Sequence, residues 1–273
     1  MTSSFVALAR RLADAAPPEL GREIAITGSV AAGLADDHSD LELLFLVDGA
    51  PTPGAVRAWL QANAATDVLA GADPTGVWAW CRVDGVEVEP YWDELAHIRA
   101  EAETVLAGET VEHERVALAH VLTRSAVLRT EGALPALVDR LSRYPEAVRR
   151  QLVLDAAAGL EVPSPRLGAA IRDDRVAVEA TLLHLAYRAL RIVFAVNRCW
   201  EPPRWKWLAR HLGELEAAPP RLAERMGAAL VERDPVAAVA AMVALVQEAL
   251  ALVPGEIDVA AARAGVAAQL ERL

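Results

Sequence analysis

The stretch GSVAAGLADDHSDLELLFLV, Gly28 to Val47, decides how the rest of the chain is read. Upstream, IAIT (residues 24–27) has the β-branched, apolar character of a short strand, and it ends at Gly28-Ser29. Small residues then carry the chain through a short helix to Gly33, and the polar loop DDHS delivers a second strand, DLELLFLV. Alternation along that strand sends Asp40 and Glu42 to one face and Leu41 and Leu43 to the other. Two carboxylates side by side repel, a cost that a divalent cation between them relieves. Glycine admits close backbone approach, and amides at a helix start, with the Ser29 hydroxyl, attract phosphate oxygens. The stretch therefore predicts a triphosphate cradle, Gly28 and Ser29, beside a metal site. The competing readings are a solvated strand face for the acids and a plain turn and helix cap for Gly28-Ser29.

Working outward, DGVEVEPYW continues the pattern. Asp84-Gly85 sits between two alternating runs and predicts a hairpin pairing Trp78–Val83 with Val86–Trp92. Glu87 and Glu89 share one face of its second strand, and Glu87, on a strand neighbouring Asp40 and Glu42, is placed to supply the third carboxylate. Glu89 competes for that place. Residues 1 to about 110 thus form an α/β half. From roughly 111 onward the sequence predicts no strands, only Ala, Leu and Arg at helical spacing punctuated by Pro and Gly, including a long helix over 173–200. The fold class expected is α+β: an N-terminal mixed sheet with helices on one face (1–110) and a C-terminal all-α bundle (111–273) packed to form a cleft, with the linker at Ala100 to Glu114.

Composition narrows the function. The chain has 273 residues, 54% of them hydrophobic, enough for two cores. A net charge of −11 disfavours a surface for polynucleotide phosphates and favours a small substrate. Cys81 and Cys199, far apart and without metal-ligand spacing, suit a reducing cytoplasm and offer neither a disulfide framework nor a zinc site. Charges interrupt the apolar residues of MTSSFVALARRLADAAPPEL at helical spacing, which predicts a first helix and not a signal peptide. The apolar run from Val236, broken by Gln247 and Glu248, reads as a buried helix and not a membrane span.

Gly28-Ser29, ten residues, then Asp40-Leu-Glu42 between apolar residues resembles the signature of the DNA polymerase β-like nucleotidyltransferase superfamily. The likeness is to its small-molecule branch, typified by kanamycin nucleotidyltransferase, in which a strand similar to GVEVEPYW carries a further acid. RTEGALPALVDRLSRYP (129–145) and FAVNRCWEPPRWKWLARHL (194–212) look like the helical half of related proteins. The resemblance implies that Asp40, Glu42 and Glu87 hold two Mg²⁺ ions. It further implies transfer of a nucleoside monophosphate, usually AMP from ATP, to a hydroxyl of a small molecule such as an aminoglycoside-like antibiotic. Pyrophosphate leaves. An acidic cleft suits a cationic acceptor. The second function class is a regulatory module of the same fold that modifies another protein by antitoxin-like AMP transfer, although protein-directed members tend to be small single domains. Relatives form homodimers, and nothing in the sequence specifies one.

The resemblance also implies a general base on the first helix of the second domain, where Asp155 of RRQLVLDAAAGL stands; the alternative is an exposed helix acid. Many members carry Arg where this chain has Ala32, so another cation has to meet the phosphates. Lys206 in EPPRWKW is the candidate, with Arg204 and Arg198 beside it, and snorkelling at a surface is its alternative. Asp36, Asp37 and His38 read as loop polars. Trp78, Trp80, Trp92, Trp200, Trp205 and Trp207 read as packing residues.

Overall fold

Strand β2 (Leu41–Val47) lies inside a six-stranded mixed sheet that a computed structural model of the protein lays out in the order β3-β4-β5-β2-β1-β6. The structure describes residues 2–161, 168, 170, 172 and 174–272. The other strands are β1 (Glu23–Ile26), β3 (Thr66–Ala72), β4 (Gly76–Val83), β5 (Val86–Glu94) and β6 (Ala126–Arg129). Neighbours run antiparallel except β2 and β5, which are parallel and in register Leu41 to Val88 through Val47 to Glu94. The predicted hairpin is present. Asp84 and Gly85 both have positive φ, 53° and 81°, the backbone that a tight two-residue turn between twisted strands requires, and Val83 pairs with Val86.

One face of the sheet is covered. Helix α1 (Thr2–Ala15) offers Phe5, Leu8, Ala9, Leu12 and Ala13 along one stripe, and α3 (Pro53–Ala62) offers Val56, Trp59 and Leu60. These pack with Leu41, Leu43, Phe45, Val77, Ala79, Cys81, Val88 and Trp92 from the strands. Thr52 caps α3, its hydroxyl accepting from the Ala55 amide at 3.2 Å, and Pro53 takes the first helical position. Phe45 stacks on Trp92 at 4.7 Å, Trp59 stands edge-on to both, and the Trp92 indole donates to the Leu20 carbonyl at 2.9 Å. Burying Trp92 is therefore not penalised by its polar edge.

The chain divides into two compact units, residues up to 106 with 114–143, and 107–113 with 144 onward. The first unit also holds α2 (Gly28–Ala31), α4 (Leu95–Leu106), α6 (Ala133–Leu141) and most of α5 (His113–Thr123). Strand β6 corrects the expectation that no strand follows residue 111: it pairs with β1. The Arg129 guanidinium donates to the carbonyls of Ala16 and Gly21 at 2.8 and 3.2 Å and to that of Ala13, closing the end of α1. Glu23 is buried on β1 and accepts from the Thr130 hydroxyl (2.6 Å) and from the amides of Glu131, Ala133 and Leu134 at 2.8–3.0 Å, so it caps α6 from a neighbouring strand. Within the expected linker at 100–114, α4 runs through residue 106 and α5 begins at 113, so the non-helical connection is residues 107–112.

The second unit is helical: α7 (Glu146–Ala157), α8 (Arg175–Val196), α9 (Leu208–Gly213), α10 (Leu222–Val231), α11 (Pro235–Ala251) and α12 (Ala260–Leu270). Helix α8 begins at Arg175; Asp173, where the expected helix starts, lies outside the described residues. Helix α11 packs on α8, α10 and α12 and buries Val239, Met242, Val243, Val246 and Leu250, the surrounded helix that its composition predicts. Among the described residues no helix is long and apolar enough to cross a membrane.

Candidate active site

The turn after β1 is shaped by Gly28, whose φ of +61° is left-handed. A Cβ added there would stand 2.5–2.6 Å from the Glu42 carboxylate atoms, so the site needs glycine for space as well as for conformation. Glu42 is drawn to the turn by pairing: the Thr27 amide donates to the Glu42 carbonyl at 3.0 Å, and the Thr27 hydroxyl lies 3.4 Å from Glu42 Oε2. Ser29 follows at the start of α2, and its Oγ is buried with no hydrogen-bond partner. Asp40, at the mouth of β2, carries a second orphan, since its Oδ1 is also buried without a partner. Each such atom costs roughly 1–3 kcal/mol until something binds it. Asp36 and Ser39 satisfy one another across the connecting loop, with the His38 amide donating to Asp36 Oδ1 at 3.0 Å, so Asp36 serves the loop as expected.

The parallel register of β2 and β5 gathers the acids. Glu42 lies directly opposite Glu89, on strands about 4.8 Å apart. Glu87 shares the face but is occupied: it pairs with Arg82 across the hairpin, Nη2 to Oε1 at 2.5 Å. The Glu89 carboxylate accepts from the Tyr91 hydroxyl at 3.1 Å. The field of three acids reaches that phenol. Burial, followed by Glu89, Glu42 and Asp40, pushes Tyr91 up to about 12.

The donor set, carboxylates with a hydroxyl, is the hard all-oxygen chemistry magnesium takes, and the Asp40 orphan is an open valence in it. Among the described residues no three His, Cys, Asp or Glu side chains converge tightly enough to hold an ion as they stand. The acids share a face of the sheet without forming a closed cage.

Asp155 and Lys206 belong to the second unit. Asp155 accepts from Arg191 Nη1 at 2.6 Å, and Arg191 Nε donates to Glu201 Oε1 at 2.9 Å. Arg191 and Glu201 are almost fully buried, the guanidinium lies 4.9 Å from the Tyr187 ring centre, and Glu201 Oε2 is 3.1 Å from His113 Nδ1. The Glu201 hydrogen bond outweighs burial and holds His113 above its ordinary 6.5. The ion pair gives Asp155 a partner within its own unit. Lys206 and Arg204 are exposed, and Arg198 pairs with Glu146 at 3.0 Å.

Two groups escape the sequence reading. The network brings His113 to Arg191 and Glu201, about 80 to 90 residues further along the chain, and no local pattern announces it. Trp78 was readable: Val77, Ala79, Cys81 and Val83 alternate with it, so Trp78 falls on the face of Glu89 and Tyr91 once the hairpin is drawn. The expectation that Trp78 is a packing residue is corrected, because it is 37% exposed; Trp92 and Trp200 are buried as expected.

Residues 111–208 match a family model described as a domain of unknown function, DUF4037. No curated protein matches the chain in sequence. Among solved structures, the chain is similar to a nucleotidyltransferase-like protein from Exiguobacterium sibiricum, at 16% identity over 90% of this chain and 76% of the other, with a TM-score of 0.40. That likeness is too loose to fix an activity.

Proposed function

We propose that the protein is a magnesium-dependent nucleotidyltransferase that moves AMP from ATP to a hydroxyl of a small molecule of the aminoglycoside type. One observation carries the reading: Gly28 leaves room for Glu42 beside two buried polar atoms without partners, Ser29 Oγ and Asp40 Oδ1. Orphaned polar atoms beside clustered acids mark a place built for something absent from the chain itself. Asp40 and Glu42 hold magnesium, and Glu89 supplies the third carboxylate in preference to Glu87, whose charge Arg82 already meets. Bound there, magnesium would supply charge neutralisation for the triphosphate and Lewis-acid polarisation of the α-phosphorus.

The chain's own residues do the rest. The Gly28 turn presents its backbone to the phosphates and Ser29 donates its hydroxyl. The acceptor oxygen bonds to the α-phosphorus, the bond from that phosphorus to the bridging oxygen breaks, pyrophosphate departs, and the hydroxyl proton leaves to solvent.

The test incubates the protein with each NTP, magnesium and a panel of hydroxylated antibiotics, and follows pyrophosphate release and acceptor mass. The expected result is an acceptor heavier by one nucleoside monophosphate, lost in D40N. Absence of magnesium-dependent pyrophosphate release with every NTP would overturn the proposal.

A further inference from the structure

The solvent face of β4 and β5 carries an aromatic shelf beside the acids. Trp78 and Tyr91 are cross-strand partners, 37% and 41% exposed, and large aromatic side chains are costly to leave in water without a use. The shelf is shaped by the neighbouring strand. Gly71 of β3 pairs with Trp78, and a Cβ at Gly71 would stand 2.6 and 2.8 Å from indole atoms, so only glycine lets the ring lie flat over that backbone. Leu69, 59% exposed, extends the apolar surface, pairing with Trp80.

Charge is distributed unevenly around this surface. At the hairpin end Arg82 lies 5.8 Å from the Trp80 ring and pairs with Glu87, so that corner is neutralised. At the Tyr91 end the carboxylate of Glu89 has the Tyr91 phenol as its partner, Glu42 lies opposite, and Asp40 carries its buried orphan oxygen. An electron-rich indole face and a phenol ring bordered by clustered carboxylates together favour a protonated amine. The ring quadrupoles attract the cation, the acids add long-range attraction, and the apolar rims cover the carbon skeleton.

We infer that Trp78 and Tyr91 form the acceptor subsite, which selects an amine-bearing, positively charged small molecule and stacks it on the two rings beside the metal-holding acids. The inference rests on the proposed transferase reading for the identity of the occupant as acceptor, while the binding it asserts is measured without turnover. Gly71, Trp78 and Tyr91 act by positioning and selection and touch no reacting atom.

The experiment titrates the full-length protein with kanamycin, spermidine and tyramine by calorimetry, with sucrose as the uncharged control, in the wild type and in W78A, Y91F and G71V. At least one amine is expected to bind, and sucrose is not. W78A should weaken amine binding about five- to tenfold, and G71V, which lifts the indole while keeping it, should weaken it by a similar factor. Y91F retains the ring and should lose less than W78A. Magnesium-ATP binding should stay within about twofold of wild type in W78A and G71V, and circular dichroism should show all three variants folded. The inference is overturned if no amine binds, if W78A and G71V leave amine binding unchanged, if sucrose binds as well as the amines, or if W78A weakens ATP instead, which would make the shelf a nucleobase platform. Amine binding that depends on Trp78, without magnesium-dependent pyrophosphate release, would keep the subsite and remove the transferase reading; release without such binding would do the reverse.

Discussion

The carboxylates of the two units live under opposite conditions. In the helical unit Asp155 and Glu201 share Arg191, and Glu201 also meets His113, so each acid faces a cation. On the sheet, Glu42 faces Glu89 across adjacent strands, and Asp40 keeps a buried oxygen with no partner. Buried charge is tolerable when paired, and an acid paired by its own chain has its task within the fold. Like charges gathered on one face instead weaken the fold and persist where a ligand completes them. On the proposed reading, the difference separates structural acids from acids held ready for chemistry. Glu23 belongs to the first kind although it lies in the sheet unit, since four donors surround it.

The largest effect should come from the acids of the sheet. D40N and E42Q should lower turnover on the order of a thousandfold, the several kcal/mol of charge stabilisation a metal site supplies, while the melting temperature stays level or rises as repulsion is relieved. Steady-state pyrophosphate assays and calorimetry check both halves, and a large fall in melting temperature would erase the contrast. The reverse holds for the network. R191M should destabilise the helical unit by about 3–5 kcal/mol, because it removes the buried guanidinium that pairs both Glu201 and Asp155; chemical denaturation measures it.

How much of this was legible in the sequence follows from the range of the interactions involved. Gly28, Ser29, Asp40 and Glu42 lie within one strand-turn-strand segment, so alternation and turn chemistry place them without tertiary information. The Asp84-Gly85 hairpin was equally local. The proposed preference for Glu89 over Glu87 rests on the β2–β5 register, which pairs residues through a crossover, and on the Arg82–Glu87 pair, neither of which a single strand shows. Strand β3 escaped because TDVLAGA is an edge strand of small residues, largely exposed, with no apolar alternation to mark it. Strand β6 escaped because its short AVLR segment is held by β1 and by Arg129 reaching back to α1. The Asp155 partnership was hidden for the same reason as the rest of its network: Arg191 and Glu201 come from separate segments.

Smaller effects sharpen the same contrast. E23A should cost about 2–3 kcal/mol, since it strips the amides at the start of α6 of their acceptor inside the fold. Burial raises the Glu23 carboxyl, but the bonds from Thr130, Leu134, Ala133 and Glu131 together hold it below its ordinary 4.5. Its stabilisation is therefore present above 4.5 and is lost as pH falls through the lowered value, a loss absent from E23A in acid denaturation curves. His113 has the opposite sign. Raised above 6.5 by Glu201, it stabilises the helical unit fully below that pH and progressively less as pH climbs through its folded value. H113Q should flatten that dependence, a change of about 2 °C between pH 6 and pH 8 by scanning calorimetry.

The central claim is that Asp40 and its neighbours on the sheet hold a divalent metal with a nucleotide. Titration of manganese with ATP, followed by electron paramagnetic resonance in the wild type and D40N, tests it most directly. The account predicts protein-bound manganese in the wild type that depends on ATP, with affinity reduced about 10- to 100-fold in D40N. Equal manganese binding in the two proteins, or none in the wild type, would contradict it.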